Sequence, residues 1–242
     1  MRIQPARPMD RVRSVLFALS FYPITVVMII LMLPTLLLPR KLAQPICYRW
    51  VAFFDWMSRN VLNVRYRVKI DRAASDAIAK GPVIFAAKHQ SMWETLIFND
   101  LLNRPAFVLK QELTRIPLFG LFLNKFEMVA VDRAAGASAL KGMVRQAQEQ
   151  LAKGRSVVIY PQGTRVAPGD KHPYLPGAAA LYTQTHATVI PIALDSGRLW
   201  PRRAFVKRAG TITVKVLPPI EPGLDRRTFL RTLEDRIESA CG

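Results

Sequence analysis

The feature that most constrains this fold is a long uncharged apolar run near the N-terminus, SVLFALSFYPITVVMIILMLPTLLLP, residues 14–39. As a straight helix, a run of this length would reach about 39 Å, whereas the apolar core of a bilayer is about 30 Å thick. The run is too long for the core of a signal peptide, and no small-residue cleavage pattern follows it. We therefore expect the chain to be attached to a membrane.

The prolines of this run and the basic residues on either side of it leave its orientation in the membrane open. Pro23 and Pro34 lie inside the run, and each lacks the N–H that an uninterrupted helix needs. Basic residues flank both ends, so the positive-inside tendency selects neither orientation. A re-entrant hairpin with both ends on the cytoplasmic side and a tilted single span both satisfy these observations, and both are favoured over a helix buried in the core. The stretch 47–64 that follows predicts an interfacial helix carrying Trp50 and Trp56, or an ordinary packing helix.

The charge balance indicates an anionic partner. The 242 residues include 35 Lys and Arg against 17 Asp and Glu, a formal net charge of +18. Together with the apolar run, this charge favours a phospholipid membrane over nucleic acid, which we do not expect as a partner. Two cysteines and three scattered histidines give neither a disulfide framework nor a metal-ligand spacing, so we expect no metal and no resident cofactor. The cytoplasmic face of the inner membrane is the expected location.

The remainder of the chain, from residue 64, alternates β-rich and helical stretches. The β-rich stretches are 64–70, 83–88, 106–110, 127–132, 156–160, 188–194 and 211–217. Apolar residues at helical spacing predict helices over 136–153 and 226–240. This alternation predicts an α/β fold with a central mixed sheet covered by helices. We therefore divide the chain into an N-terminal membrane-embedded helical segment with its interfacial helix, 1–63, and one α/β domain, 64–242.

The stretch KHQSMWET, residues 88–95, raises the question of chemistry. On one regular helix His89 and Glu94 would point about 140° apart, which argues against a metal site. If His89 instead ends a strand and a helix starts at Ser91, the carboxylate of Glu94 can reach back to the imidazole. The same residues also form a capping box, with Ser91 as N-cap and Glu94 at the third helical position. The two roles are compatible, since a carboxylate has more than one acceptor lobe.

Four short motifs in order carry a family resemblance: KHQSMWE (88–94), VDR (131–133), YPQGTR (160–165) and VIPIAL (189–194). In this order and spacing the chain resembles the glycerolipid acyltransferase family, in particular the PlsC-type 1-acyl-glycerol-3-phosphate acyltransferases of bacteria. The resemblance runs from about residue 64 to residue 222.

The resemblance implies acyl transfer from a thioester, acyl-CoA or acyl carrier protein, to the free hydroxyl of a lysophospholipid. The product from 1-acyl-glycerol-3-phosphate is phosphatidic acid. It implies that His89 is the general base and that Glu94 orients it. The residues implied to bind substrate are Lys110, Arg133, Gln162, Gly163, Thr164 and Arg165. An acyl carrier protein is a candidate partner.

This sequence departs from the family's usual pattern at three positions. Glu94 stands where Asp is usual, Lys88 where Asn is common, and Gln162 where Glu is usual. The neutral Gln162 leads to the hypothesis of a more anionic acceptor or a relaxed acceptor choice. Two alternatives stay open: acylation of another lyso-lipid, such as a lyso-ornithine lipid, and a non-catalytic membrane protein that binds anionic lipid through the basic run 198–208.

Overall fold

A computed structural model of the chain describes residues 5–132, 134 and 136–241. Its first part is a helical hairpin. Helix α1 spans Pro8–Met32, continues through a 3₁₀ turn at Leu33–Leu37, and is followed by helix α2, Arg40–Asn60. The proline at the start of α1 costs nothing because the first helical N–H has no partner in any helix. Pro23 does not end α1, whereas Pro34 coincides with the change to the tighter 3₁₀ turn.

Most of α1 is open to the surroundings. Within the described residues, Pro8–Leu37 is the one segment long and apolar enough to cross a membrane, and only 11% of its most apolar window is buried. Phe17 and Phe21 point inward and pack on the core beside the sheet, and Ile29 and Met32 pack against a small cluster that includes Phe122. Much of the remaining apolar surface of α1 is exposed. The less favoured alternative, a helix buried in the core, is therefore wrong, because a core helix would be buried on all sides.

Seven strands form a single sheet in the order β1-β7-β6-β2-β5-β3-β4. The strands are β1 Val64–Ile70, β2 Ile84–Ala87, β3 Ala106–Lys110, β4 Val129–Val131, β5 Val157–Ile159, β6 Val189–Leu194 and β7 Gly210–Val216. The β6–β7 pair is antiparallel, and the neighbours on either side of it run parallel. All seven predicted strands and the mixed α/β fold are confirmed.

Helices cover both faces of the sheet. The further helices are α3 Arg72–Lys80, α4 Trp93–Leu101, α5 Phe119–Lys125, α6 Gly136–Ala152, α7 Pro176–Thr185 and α8 Arg226–Ala240. One face packs against the hairpin and α4, and the other against α6, α7 and α8. Strands β2, β5 and β6 are buried on both faces, which explains why they read as continuous apolar runs instead of alternating ones.

The topology brings the predicted motifs to one edge. Strands β6, β2, β5, β3 and β4 are mutually parallel, so the loops that follow them all leave the sheet at the same side. Ligands of α/β sheets commonly bind at this carboxyl edge. The predicted boundary between residues 63 and 64 stays a prediction; α1 packs across it, with Phe17 lying 5.4 Å from Trp200 between ring centroids.

Candidate active site

His89 lies just beyond the end of β2, where the chain leaves the sheet. Its carbonyl oxygen accepts a hydrogen bond from the N–H of Val166 at 2.8 Å. Its ring stacks on Tyr160, at the end of the neighbouring strand β5, with centroids 4.0 Å apart. The side chain remains 16% exposed. The imidazole is thus held on one face and at its backbone, and a part of it is open to a substrate.

Glu94 is the second residue of α4 and is fully buried. Its Oε1 lies 2.9 Å from Nδ1 of His89 and accepts the N–H groups of Gln90 and Ser91, each at 2.7 Å. Its Oε2 accepts the Ser91 hydroxyl at 2.9 Å and the Ser196 hydroxyl at 2.7 Å. A buried carboxylate is stable only when its oxygens are paired in this way.

The predicted start of the helix at Ser91 is wrong by two residues. Helix α4 begins at Trp93, with Met92 as its N-cap, because Ser91 still belongs to the turn that leaves the sheet. The contacts of a capping box are nevertheless present in a shifted form. Ser91 Oγ accepts the N–H of Trp93 at 2.8 Å, and Glu94 accepts the N–H of Ser91. The Glu94 carboxylate therefore accepts hydrogen bonds from the turn and from the histidine at the same time.

The hydrogen bonds of the pair favour an ionised Glu94 and assign the tautomer of His89. Burial alone would raise the pKa of Glu94, but hydrogen bonds from His89, Ser91 and Ser196 outweigh it, and the pKa lies below the ordinary range. An ionised carboxylate can only accept, so the network assigns the ring proton of His89 to Nδ1. The lone pair on Nε2 is left to accept a proton, which is the tautomer that a general base requires.

Two contributors to this network were not predicted from sequence. Ser196 is fully buried after β6, and its hydroxyl reaches Glu94 across the β6–β2 pair. Next to it the Gly197 N–H donates to Oε1 of Gln90 at 3.0 Å. A Cβ on Gly197 would lie 2.9 Å from the Pro168 ring, so the loops pack without spare space. The signal available in the sequence was only that a serine follows the VIPIAL strand.

The YPQGTR loop lies beside the pair, because β5 is the neighbour of β2. Gly163 has a φ of 65° and donates its N–H to the Tyr160 carbonyl at 2.8 Å, which closes a tight turn. Gln162 is buried, and its amide oxygen and nitrogen have no hydrogen-bond partner among the described residues. Thr164 and Arg165 are half-buried and follow at once. Four of the predicted substrate-binding residues therefore share the edge with His89.

The two other residues predicted to bind substrate do not share this position next to His89. Lys110 is exposed at the end of β3, with β5 between it and the strand that carries His89. Arg133 lies outside the described residues. Lys88, one of the departures from the family's pattern, faces away from the site: its ammonium lies 2.6 Å from Glu238 of α8 and is 3% exposed.

The fold and the sequence both match known proteins. The chain is 33% identical over 190 residues to a 1-acyl-sn-glycerol-3-phosphate acyltransferase of Pseudomonas aeruginosa, which covers 78% of this chain and 72% of that one. It is 26% identical over 175 residues to 1-acyl-sn-glycerol-3-phosphate acyltransferase beta of Homo sapiens, covering 70% of this chain and 62% of the human protein. The crystal structure of the Thermotoga maritima 1-acyl-sn-glycerophosphate acyltransferase PlsC superposes with a TM-score of 0.72 at 20% identity, covering 96% of both chains, and shows the same fold.

The family model that matches covers the C-terminal half of α2 and the chain as far as the end of β6. It is the acyltransferase model, over residues 51–195, and this range contains the His89–Glu94 pair and the YPQGTR loop. On this match and on the Pseudomonas relative, the chain belongs to the acyltransferase family.

Proposed function

We propose that this enzyme transfers a fatty acyl group from acyl-CoA or an acyl carrier protein to the free hydroxyl of 1-acyl-glycerol-3-phosphate, forming phosphatidic acid. The observation that carries the proposal is the contact between Nδ1 of His89 and Oε1 of Glu94, 2.9 Å long. The names of the relatives in Pseudomonas and in humans support the acceptor.

The chemistry needs a base and no protein nucleophile. The acceptor hydroxyl attacks the thioester carbonyl while its proton passes to Nε2 of His89. Glu94 holds the ring in the tautomer with Nδ1 protonated and stabilises the imidazolium that forms. The tetrahedral intermediate then collapses, the carbon–sulfur bond breaks, and the departing thiolate takes the proton back from Nε2. The ester and the free thiol are the products.

The phosphate of the acceptor requires cations and N–H donors. We assign this role to Arg165, supported by its position two residues after the tight turn at Gly163, and to Lys110 at the end of β3. By the family resemblance we assign it to Arg133 as well. Arginine suits the role because its planar fork can bind two phosphate oxygens. Gln162 and Thr164 belong to the same loop, and their polar atoms would complete the headgroup site.

The hairpin suits attachment to one leaflet. The start of α1 is bound to the β6–β7 loop through Ser14, whose hydroxyl accepts the N–H of Lys207 at 2.8 Å. The 3₁₀ turn that continues α1 is bound as well, since Lys125 of α5 donates to the Leu36 carbonyl at 3.0 Å. A helix held against one domain at both ends cannot stand across a bilayer with that domain on one side. We therefore infer a re-entrant or in-plane hairpin, on the cytoplasmic side of the inner membrane.

The test is an assay of detergent-solubilised wild type, His89→Ala and His186→Asn with a labelled acyl thioester and 1-acyl-glycerol-3-phosphate. His186 is the matched control: it is exposed at the end of α7, with a φ of 54° that asparagine tolerates. We expect His89→Ala to lose activity by about 10²- to 10⁴-fold and His186→Asn to keep it. Activity of His89→Ala at the wild-type level would refute the assigned base.

A wider acceptor range has one specific observation in its favour. The amide of Gln162, which stands where the family usually has a carboxylate, has no hydrogen-bond partner within the described part of the chain. A neutral side chain there would oppose a second anionic group on the acceptor less strongly. A panel of lyso-lipids with different headgroups, including a lyso-ornithine lipid, tests this on wild type and Gln162→Glu. An identical acceptor profile for the two proteins would remove Gln162 as a determinant of specificity.

A further inference from the structure

The loop that enters β7 presents cations and an aromatic ring to the outside. Residues 201–208, here called the basic loop, read PRRAFVKR and contain four basic residues and no acidic one. Arg202 and Arg203 are exposed, and the Phe205 side chain between the two basic pairs is 55% exposed. Neither the proposed reaction nor the packing of the sheet uses these three side chains.

The basic loop is fixed to the start of α1. Besides the bond to Ser14, the N–H of Ala209 donates to Oδ1 of Asp10 at 3.1 Å. Trp200, just before the loop, packs on Phe17 of the same helix. The loop therefore keeps a constant position beside the outward apolar surface of α1, which at this end is formed by Met9, Val12 and Leu16.

The cations of the loop have no carboxylate partner among the described residues. The Lys207 ammonium donates to the Phe205 carbonyl at 2.8 Å and lies 5.5 Å from the rings of Trp200 and Phe205. Nε and Nη1 of Arg208 are buried without a hydrogen-bond partner among those residues. The carboxylate of Asp10, which contacts the residue after the loop, is engaged by backbone N–H groups. A cluster of this kind lacks the counter-charge that elsewhere in the chain pairs Lys88 with Glu238.

We propose that the basic loop is a second membrane contact, which docks on an anionic lipid surface with Phe205 in the interface and Arg202 and Arg203 against lipid phosphates. Its continuity with the apolar surface of α1 selects a bilayer as the partner, since an aromatic ring flanked by basic side chains suits the interface. The proposal rests on the membrane attachment proposed above, and it can be tested without any turnover of substrate.

Docking of the basic loop would also affect the conformation of the active site. Nη1 of Arg202 donates to the carbonyl oxygen of Arg165 at 3.0 Å. This contact joins the basic loop to the loop assigned to the acceptor phosphate. A lipid surface that orders Arg202 would thereby order the backbone at Arg165, so that the headgroup site is completed where the acceptor lipid resides.

The test measures the environment of residue 205 directly. In a background of Cys47→Ala and Cys241→Ala, a polarity-sensitive fluorophore is attached at Phe205→Cys, at Leu19→Cys on the apolar face of α1, or at Gln184→Cys on the opposite side of the sheet. Each protein is placed in nanodiscs with or without phosphatidylglycerol, and quenching by brominated lipid is recorded. We expect the label at residue 19 to be quenched in both kinds of nanodisc and the label at residue 205 to be quenched mainly in nanodiscs with phosphatidylglycerol. The label at residue 184 should not be quenched in either.

A charge variant with a matched control completes the design. Arg202→Gln/Arg203→Gln removes two exposed cations from the loop, and Arg227→Gln/Arg231→Gln removes two from α8 on the far face. We expect the first pair to lower the equilibrium constant for docking at residue 205 by roughly fivefold per basic residue and the second pair to leave it unchanged.

The outcomes separate the two proposals. If 19 is quenched and 205 is not, the loop does not contact the membrane and the inference is wrong while the anchoring stands. If neither is quenched, both are wrong. Acyl carrier protein, which is acidic, is also added to the labelled protein. If it changes the fluorescence of the label at residue 205 and phosphatidylglycerol does not, the partner of the loop is a protein and the lipid proposal is wrong. Repeating the measurement with His89→Ala keeps all of these results independent of catalysis.

Discussion

The hydroxyl of Ser196 donates to Oε2 of Glu94 at 2.7 Å, which joins the loop after β6 to the helix after β2. Because Glu94 in turn accepts from His89, Ser196 acts on the imidazole through one intermediary, and we expect it to be a positioning residue for the proposed base. We expect Ser196→Ala to lower kcat by roughly tenfold with little change in KM, since a hydrogen bond to a charged group is lost. Steady-state kinetics check this, with Ser239→Ala on the exposed surface of α8 as control. A change confined to KM would contradict a positioning role.

The reach of Glu94 is set by its full side-chain length. Its two oxygens accept groups from His89, Gln90, Ser91 and Ser196 at once, so a side chain shorter by one methylene cannot satisfy them all. We expect Glu94→Asp to lose activity despite keeping the charge. Glu94→Gln should lose more, about 10²- to 10⁴-fold, because its amide N–H₂ disfavours the required tautomer. Full activity of Glu94→Asp, measured beside its thermal unfolding, would refute this geometry.

The carboxylate of Glu94 also predicts a pH dependence of stability. Its pKa in the folded protein is lowered by the hydrogen bonds it accepts, so the ionised form favours folding. This contribution is present above the pKa of the unfolded chain and is lost as the pH falls through the lower pKa of the folded state. We expect wild type to exceed Glu94→Gln in free energy of unfolding at neutral pH, and the gap to narrow in acid. Denaturant titrations at several pH values measure this gap; a constant gap would speak against an ionised Glu94.

Two glycines should respond in opposite ways to the same substitution. A Cβ on Gly120 would lie 2.1 Å from the carbonyl oxygen of Thr114, where backbone cannot yield. Gly142, inside α6, has nothing within 4 Å of the same position. We expect Gly120→Ala to lower the melting temperature and Gly142→Ala to raise stability by about 0.5 to 1 kcal/mol, through helix propensity. Calorimetry measures the melting temperatures of both variants. A Gly120→Ala variant as stable as wild type would mean that α5 can shift away from residues 111–115.

Removing Glu238 should cost more stability than removing Lys88, because only the lysine of this ion pair is buried. Lys88 is 3% exposed, whereas Glu238 is partly open and also accepts the Tyr174 hydroxyl at 2.9 Å. Glu238→Ala leaves a buried ammonium unpaired, and we expect a loss of about 3 kcal/mol or more. Lys88→Met replaces the cation by an apolar chain of similar shape and should cost less. Chemical denaturation of both variants measures the difference, and equal losses would show that the cost does not depend on which partner is removed.

Much of this architecture could be predicted because local pattern and global fold agree. All seven strands were found from β-rich stretches, and the helix predicted over 136–153 is observed as Gly136–Ala152. The pairing of His89 with Glu94 followed from placing His89 at a strand end. The non-catalytic alternative is wrong, since the chain belongs to an enzyme family.

The remainder depended on which strands are neighbours, and no local pattern carries that information. Ser196 and Tyr160 touch Glu94 and His89 only because β6 and β5 flank β2. The predicted start of α4 is two residues too early. Ser91 makes hydrogen bonds inside the turn that are the same as those of a helix N-cap, so the sequence pattern does not distinguish the two. The roles assigned to Lys110, Arg133, Gln162, Gly163, Thr164 and Arg165 remain predictions.

The attachment of α1 to the β6–β7 loop has a consequence for how the protein is made. Asp10 and Ser14 emerge from the ribosome early, yet the backbone groups they bind belong to Lys207 and Ala209. At usual rates of synthesis, the interval between the two is about 10 to 40 s. During that time the nascent helix carries its apolar surface without its final partners. The order of synthesis thus allows the lipid to receive α1 first, and the finished domain then folds against a helix already in place.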